Sequence, residues 1–167
     1  MSLYYCHIET QVGRFLIAGD EEALHYTAFS TGRRQQQPAD DWLQDKTPLK
    51  KACEEFTAYF AGDLTKFSVP FVLAGTPFQE KVWSALCRID FGETRSYGDI
   101  AAEIGQPGAS RAVGMANNAN HLPVIIPCHR VIGADGSMTG FGGGLETKTS
   151  LLALEGSLVL DPQLALF

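Results

Sequence analysis

Long apolar runs are missing from this chain of 167 residues. No stretch reaches the roughly 20 apolar residues that a membrane-spanning helix needs. The first residues also lack the basic segment and the apolar stretch of a secretory leader. These absences argue against a membrane protein and a secreted protein, and we expect a cytoplasmic one. A hydrophobic content of 45% with 19% charged residues is ordinary for a globular chain and argues against extensive disorder.

Cysteine is scarce and widely spaced. The four cysteines are Cys6, Cys53, Cys87 and Cys128. Their intervals are too wide for the paired spacings of a zinc site, and a reducing compartment argues against disulfides. The pair Cys6-His7 is a weak candidate for metal ligands because a full ligand set cannot be found around it, so we predict no metal. The glycine run 140–144 lacks the Lys-Ser/Thr pair of a phosphate loop, and we predict no cofactor.

An excess of basic residues is missing as well. The formal net charge is −6, with 13 Lys and Arg against 19 Asp and Glu. Residues 1–75 hold seven basic and ten acidic residues, and residues 76–167 hold six and nine, so each half carries −3. Proteins that bind nucleic acid through phosphate neutralisation are usually basic. Any affinity for DNA must therefore come from a local patch, from helix N-termini and from shape.

The first half of the chain alternates between strand and turn signals. Three segments alternate polar and apolar residues or are rich in strand formers, and they predict an antiparallel meander: 4–10, 14–18 and 23–29. Residues 30–46 are polar and predict a surface loop. Thr47 and Pro48 predict the start of a helix that covers the meander and stops at Gly62. Residues 67–74 fit either a further strand or a linker, which places a domain boundary near Gly75.

The second half predicts three helices. Thr76-Pro77-Phe78-Gln79 has the pattern of a capping box, Ser96 starts a second helix, and Ser110 starts a third that runs to about Asn118. The second and third fit a helix-turn-helix, although any pair of antiparallel helices gives the same signals. The predicted fold is mixed, α/β in the α+β sense. A small N-terminal domain of antiparallel sheet plus helix (1–75) precedes a mostly helical C-terminal domain (76–167) with a short active-site strand or hairpin.

The segment Ile125 to Ile132 carries the most reactive pair in the chain. It predicts a buried strand, and it places Cys128 next to His129. A thiol becomes a strong nucleophile only as thiolate, and a neighbouring base is the usual means of forming it. The alternative is an inert cysteine that only packs in the core. The Cys-His pair alone leaves both interpretations open.

The surroundings of this pair resemble a known family. Pro127 to Arg130 follows an isoleucine-rich segment, with Asn120 eight positions before the cysteine, and a glycine run and a leucine-rich helix ending in Leu154-Glu155-Gly156 come after it. This arrangement resembles the active site of the O6-alkylguanine-DNA alkyltransferases. The resemblance runs from about Thr76 to Gly156, and residues 4–29 are similar to the family's small N-terminal domain in a looser way.

The resemblance implies roles for the active-site residues. Cys128 would be the nucleophile and final alkyl acceptor, His129 the base that deprotonates it through a water, and Glu155 the group that orients the imidazole. Tyr97 matches the tyrosine that assists the departing guanine. Asn120 matches the hinge asparagine that ties the recognition helix to the active-site strand.

The resemblance also implies a DNA-binding helix and a base pocket. Arg111 matches the arginine that takes the place of the flipped base, with Ser110, Ala112, Gly114 and Asn117 beside it on a helix that approaches the minor groove. The implied pocket residues are Pro123, Arg130, Phe141, Gly142 and Gly143. Gly142 departs from the serine that is common in the family, which removes a hydroxyl contact to O6.

The implied function is DNA repair by irreversible transfer. The protein would flip O6-alkylguanine out of double-stranded DNA, move the alkyl group to its own cysteine and be consumed, acting as a monomer. Activity on O4-alkylthymine is left open. Two other functions compete: an alkyltransferase-like binding protein, which would lack the acceptor cysteine, and a cysteine hydrolase, which would leave the predicted DNA-reading helices unexplained.

Overall fold

The first three strands form the antiparallel meander that the sequence predicts. The structure, a computed structural model, describes residues 2–32, 36–138, 141 and 144–158. Strands β1 (Tyr4–Thr10), β2 (Gly13–Gly19) and β3 (Leu24–Phe29) pair in chain order. The first turn is closed by the Thr10 hydroxyl, which donates to the Gly13 carbonyl at 2.7 Å, and Gly13 has a φ of 101° that favours glycine.

A fourth strand extends this sheet from within the predicted surface loop. Strand β4 (Leu43–Gln44) lies parallel to β1 and gives the sheet order β3-β2-β1-β4. The expectation of a surface loop over 30–46 is therefore wrong at Leu43–Gln44. Two residues are too few to show a periodicity in the sequence, and their strand geometry comes from pairing with the existing edge of β1.

The predicted covering helix starts later than Thr47. Residues Thr47–Leu49 form a 3-10 turn, with Pro48 at its start, and helix α1 (Lys50–Phe60) follows. The apolar face of α1 packs on the sheet, where the ring of Phe56 lies 5.1 Å from the ring of Phe15. Segment 67–74 acts mainly as a linker and touches the sheet through one parallel bridge between Leu24 and Phe71.

Helix α2 (Pro77–Leu86) and helix α3 (Tyr97–Glu103) both begin with the capping box that the sequence indicates. The Thr76 hydroxyl accepts from the Gln79 N–H at 3.1 Å, and the Ser96 hydroxyl accepts from the Asp99 N–H at 3.0 Å. Helix α4 (Ser110–Asn118) has the predicted bounds. Helices α3 and α4, joined across Gly105, form the helical pair of the predicted helix-turn-helix.

The active-site segment departs most from the prediction. Residues Cys128–Arg130 form a 3-10 turn instead of a strand, and strand β6 covers only Val131–Ile132. Strand β6 pairs in parallel with β5 (Arg95–Ser96), just before α3. The turn at 133–136 does form, with the Gly133 N–H donating to the Ser137 carbonyl at 2.8 Å. Ile125 and Ile126 are buried as expected, but apolar content alone does not distinguish a buried strand from a buried turn.

The two halves of the chain share one core. Buried side chains run without a break from Cys6 in β1 to Leu151 in helix α5 (Leu145–Leu154). The backbone N–H of Thr27 donates to the His121 carbonyl at 3.0 Å, and its hydroxyl donates to the Pro123 carbonyl at 2.8 Å. The sheet therefore fixes the segment that leads into the 3-10 turn of Cys128. In the part of the chain that the structure describes, none of the helices is long and apolar enough to cross a membrane.

Candidate active site

Cys128 sits at the start of a tight turn whose backbone is held by two asparagines. The Asn120 amide donates to the Ile126 carbonyl at 2.8 Å and its oxygen accepts from the Leu122 N–H at 2.9 Å. The Asn117 amide donates to the carbonyl of Cys128 at 3.3 Å. Asn120 therefore links the end of helix α4 to the active-site segment, which is the arrangement that the family resemblance implies.

Asn117 does not do what the sequence analysis assigns to it. Its side chain is only 2% exposed, so it points away from the surface that a DNA duplex could reach. A helical residue three positions before the hinge can face the core or the solvent, and the local sequence does not decide which. We reassign Asn117 from DNA contact to the positioning of Cys128.

Backbone strain marks the approach to this turn. Val124 has a φ of 79°, a left-handed conformation that a β-branched residue rarely adopts. Such strain persists only where the surroundings enforce it, and it concentrates at functional sites. Here the neighbouring Pro123 carbonyl is held by the Thr27 hydroxyl, and Val124 itself is buried.

His129, the residue after Cys128, forms a buried pair with Glu155. The Nε2 atom of His129 lies 2.7 Å from Oε2 of Glu155, and both side chains are inaccessible to solvent. With Nε2 donating to the carboxylate, Nδ1 is the acceptor nitrogen of the neutral ring. Nδ1 is buried and has no hydrogen-bond partner among the described residues. The imidazole thus presents a basic nitrogen on the side opposite Glu155.

Glu155 is the hub of a larger network. Arg130 donates from Nε to Oε1 at 2.7 Å and from Nη2 to Oε2 at 3.1 Å, and the Tyr59 hydroxyl donates to Oε2 at 2.5 Å. Helix α5 ends at Leu154, Glu155 is its C-cap residue, and Gly156 follows with a φ of 77°. A carboxylate at a helix C-terminus is disfavoured by the helix dipole. The hydrogen bonds from Arg130 and Tyr59 offset this effect and stabilise the carboxylate of Glu155 at this position.

The pKa values in this network follow from burial and from these hydrogen bonds. Burial raises the pKa of Glu155, but the donors on His129 and Arg130 outweigh it and lower that pKa to about 2. Burial lowers the pKa of His129, an effect that Glu155 only partly offsets. At neutral pH the pair is therefore a carboxylate beside a neutral imidazole, which can accept a proton.

Lys148 is a residue of this site that the sequence analysis missed. Its side chain is fully buried in helix α5, and Nζ donates to the Val131 carbonyl at 2.5 Å. Burial lowers the pKa of Lys148 to about 8, and the neighbouring Cys128 acts in the opposite direction. Buried lysines are rare without a role, but the local sequence does not indicate this one, because residues 146–150 are all polar and predict a solvated helix face.

Tyr59 is the second missed residue. It comes from helix α1 in the N-terminal half, it is 1% exposed, and it lies 96 positions before Glu155 in the sequence. Burial, followed by the charge of Glu155, raises the pKa of Tyr59, so the phenol stays a donor. Its aromatic neighbours suggested only a core position, and nothing in the local sequence indicates the contact.

Arg130 is not free to line a base pocket. Its guanidinium binds Glu155, donates from Nη1 to the Ile89 carbonyl at 2.6 Å and lies 5.9 Å from the ring centroid of Phe91. The expectation that it contacts substrate is therefore corrected, and Arg130 instead holds Glu155. Of the other expected pocket residues, Pro123 and Phe141 are partly exposed, whereas Gly142 and Gly143 lie outside the described residues.

The expected DNA-reading residues occupy the outer face of the helical pair. Arg111 and Ala112 are exposed in the first turn of α4, and Ser110 and Gly114 are partly exposed. Tyr97 starts α3 directly behind them: a β-carbon at Gly114 would lie 3.9 Å from the tyrosine ring. This is an ordinary van der Waals distance, so α4 packs against the Tyr97 ring at Gly114 and a β-carbon would also fit there. Met115 is 75% exposed on the same helix.

Within 2–32, 36–138, 141 and 144–158, no group of three or more His, Cys, Asp or Glu side chains could hold a metal ion.

Two family models and several solved structures match the chain. Residues 77–157 match the 6-O-methylguanine DNA methyltransferase DNA binding domain, and residues 3–73 match the ribonuclease-like domain of the same family. A methylated-DNA–protein-cysteine methyltransferase of Methanosarcina acetivorans is 49% identical over 93% of this chain and 99% of its own length. The Mycobacterium tuberculosis protein of that name is 46% identical, covering 93% of each chain.

The fold agrees with these matches. The crystal structure of M. tuberculosis OGT in complex with DNA superposes with a TM-score of 0.86 at 45% identity, covering 92% of this chain and 93% of that one. The O6-methylguanine-DNA methyltransferase of Pyrococcus kodakaraensis gives a TM-score of 0.67 at 25% identity, covering 92% and 99%. The chain belongs to the 6-O-methylguanine DNA methyltransferase family of DNA alkyltransferases.

Proposed function

We propose that this alkyltransferase repairs DNA by moving the alkyl group of O6-alkylguanine irreversibly to the sulfur of Cys128. The observation that carries this proposal is the buried pair formed by the residue after Cys128, a neutral His129 hydrogen-bonded at 2.7 Å to an ionised Glu155. Such a pair can take up the thiol proton and hold it as imidazolium beside a carboxylate. A histidine that merely filled the core would not need an ionised partner inside the protein.

The transfer is a single displacement. Nδ1 of His129 accepts the proton of Cys128 through a water, and the thiolate attacks the alkyl carbon in line with the C–O6 bond. The carbon–sulfur bond forms as the carbon–oxygen bond breaks, and the bonding electrons pass to O6 of the guanine. The Tyr97 phenol donates a proton to the departing base. The thioether product is stable, so each molecule acts once.

Glu155 and its donors support the histidine. When His129 becomes imidazolium, the carboxylate at Nε2 stabilises its charge and keeps the ring in one orientation. Arg130 holds both carboxylate oxygens, and Tyr59 binds Oε2. We assign Arg130 and Tyr59 as positioning residues, because both side chains bind Glu155.

Lys148 adds a positive charge near the nucleophile. A cation near a thiol favours the thiolate. With a pKa of about 8, Lys148 is largely protonated at neutral pH and can supply this charge from within the core. Its hydrogen bond to the Val131 carbonyl also fixes strand β6, the segment directly after the active-site turn.

DNA recognition is assigned to helices α3 and α4. We propose that α4 approaches the minor groove, that Ser110, Ala112 and Gly114 lie against the backbone, and that Arg111 fills the place of the flipped base. Arg111 is exposed in the first turn of α4, where it can reach a duplex. Because the net charge is −6, binding should depend only weakly on salt.

The roles of the two halves of the chain are also a proposal. Residues 1–75 form the structural domain and 76–167 the DNA-binding and transfer domain, with Tyr59 as the polar link from the first to the active site of the second. A monomer that works in the cytoplasm stays the prediction of the sequence analysis. Activity on O4-alkylthymine stays open.

A stoichiometric repair assay tests the proposed function. Excess duplex DNA containing O6-methylguanine is mixed with the protein, and methyl groups transferred per chain are counted. We expect one methyl group per chain, no turnover, and no transfer by Cys128→Ser. Continued turnover, or transfer by Cys128→Ser, would show that the reaction is not the one proposed.

A further inference from the structure

Two further cysteines lie together at the interface of sheet and helix in the N-terminal half. The sulfur of Cys6 in β1 is 2.9 Å from the sulfur of Cys53 in α1, although 47 positions separate them in sequence. Both are free thiols. Cys6 is 2% exposed, whereas Cys53 is only partly buried, so the pair has one hidden member and one that solvent can reach.

The geometry of this pair suits a covalent bond better than a metal. A disulfide bond needs about 2 Å between the sulfurs, so closing it requires a movement of roughly 1 Å. Two sulfurs on one tetrahedral zinc ion, each about 2.3 Å from it, would have to lie roughly 3.8 Å apart, farther than they are now. A third ligand is also missing among the described residues.

The surroundings give the two thiols different reactivity. The hydrogen bond from Cys6 lowers the pKa of Cys53, and the charge of Lys46 acts in the same direction. The same hydrogen bond, together with burial, raises the pKa of Cys6. Because Cys53 is also the more exposed of the two, an oxidant meets Cys53 first, which makes Cys53 the nucleophile and Cys6 the thiol that resolves it. An open surface cavity lined by Cys6, His7 and Lys46 lies beside the pair, and solvent reaches Cys53 directly because its side chain is only partly buried.

We propose that Cys6 and Cys53 form a dithiol site that hydrogen peroxide oxidises to a disulfide between β1 and α1. In the first step the Cys53 sulfur attacks peroxide, a sulfur–oxygen bond forms, the oxygen–oxygen bond breaks, and the departing hydroxide is protonated to water. In the second step the Cys6 sulfur attacks the sulfenic sulfur of Cys53. The sulfur–sulfur bond forms, the sulfur–oxygen bond breaks, and hydroxide leaves with the Cys6 proton as a second water.

The disulfide would stabilise the N-terminal half. It closes a loop of 47 positions between two elements that already pack together, which restricts the unfolded chain more than the folded one. The bond lies in the half of the chain that does not contain Cys128. Oxidation at this site should therefore raise the melting temperature while the acceptor sulfur stays available in the other half.

Peptide mapping after mild peroxide treatment tests the site in the full-length protein. Treated protein is blocked with a thiol reagent and digested with trypsin without reductant. We expect a cross-linked pair of peptides, one ending at Arg14 with Cys6 and one covering residues 52–66 with Cys53. The cross-link should disappear on reduction and in both Cys6→Ser and Cys53→Ser. Cys87→Ser is the matched control and should keep it.

Thermal unfolding gives a second readout. Peroxide should raise the melting temperature of the wild type and of Cys87→Ser by several degrees, reversibly with dithiothreitol, and leave Cys53→Ser unchanged. Separate blocking of Cys6 and Cys53 after treatment would overturn the proposal. So would sulfinic acid at Cys53 without a cross-link, or stoichiometric zinc that resists dialysis and is lost in Cys53→Ser. Because Cys53 is only partly buried, its serine variant keeps the test valid if Cys6→Ser does not fold.

Discussion

Replacing Tyr59 by phenylalanine removes one hydroxyl and tests whether the N-terminal half supports the active site. The change keeps the ring, which is packed against Phe60, Phe67 and Phe91, and deletes only the donor to Oε2 of Glu155. Glu155 retains His129 and both contacts from Arg130. The variant should therefore fold, with a weaker network.

The size of the effect follows from the charge of the acceptor. A hydrogen bond to a charged group contributes about 1.5–3 kcal/mol to stability, against roughly 1 kcal/mol for a neutral pair. We expect Tyr59→Phe to lower the free energy of unfolding by about 1.5–3 kcal/mol, or about 2–4 °C in melting temperature for each kcal/mol in a chain of this size. Urea unfolding at pH 7 measures it. Tyr5→Phe, which removes a hydroxyl from strand β1, is the matched control.

The lowered pKa of Glu155 predicts how the free energy of unfolding changes with pH. The pKa of Glu155 is about 2 in the folded protein and about 4.3 in an unfolded chain. A depressed carboxyl pKa stabilises the fold above the unfolded value, here by about 3 kcal/mol, and this contribution is lost as the pH falls from about 4 to 2. Without the Tyr59 donor the folded pKa rises, so the loss begins at higher pH. An unfolding free energy within about 0.5 kcal/mol of the wild type would refute the reasoning.

Three substitutions test the other assigned residues. Glu155→Gln should slow single-turnover transfer at least tenfold and move its pH midpoint upward, because His129 loses the anion that stabilises imidazolium; an unchanged pH profile would uncouple the pair. Lys148→Met should slow transfer below pH 8. The difference in rate from the wild type should shrink above that pH, because the wild-type lysine, with a pKa of about 8, then loses its charge as well. A ratio of wild-type to variant rate that stays constant across pH would contradict this. Arg111→Ala should slow transfer from duplex DNA much more than from the free O6-alkylguanine base, with Arg88→Ala as the charge-matched control; equal losses on both substrates would make Arg111 a structural residue.

Local signals carried most of the fold prediction. Residues within four positions of each other determine the helix starts at Thr76 and Ser96 and the bounds of α4. The structure contains all three of these features. The strand expected around Ile125 is wrong because a run of apolar residues shows burial without showing backbone geometry. Strand β4 was not predicted, because its strand geometry depends on pairing with the edge of β1 and not on its own sequence.

The active site shows the same difference between local sequence patterns and contacts between distant residues. Cys128-His129 and Leu154-Glu155-Gly156 are each runs of consecutive residues, so the family resemblance could locate them in the sequence. The structure brings His129 and Glu155 together. Tyr59 reaches Glu155 from 96 positions away, and no local pattern could have indicated that contact. The roles of Asn117 and Arg130 were misassigned because a polar residue near a site can hold the scaffold as well as the ligand.

The most direct test of the account is to locate the transferred methyl group. The protein is incubated with duplex DNA that carries deuterium-labelled O6-methylguanine, digested with trypsin and sequenced by tandem mass spectrometry. We predict one labelled methyl thioether on Cys128, within the peptide 112–130, and none in Cys128→Ser. A labelled methyl group on Cys6, Cys53 or Cys87, or repaired DNA with no label on the protein, would contradict the central claim.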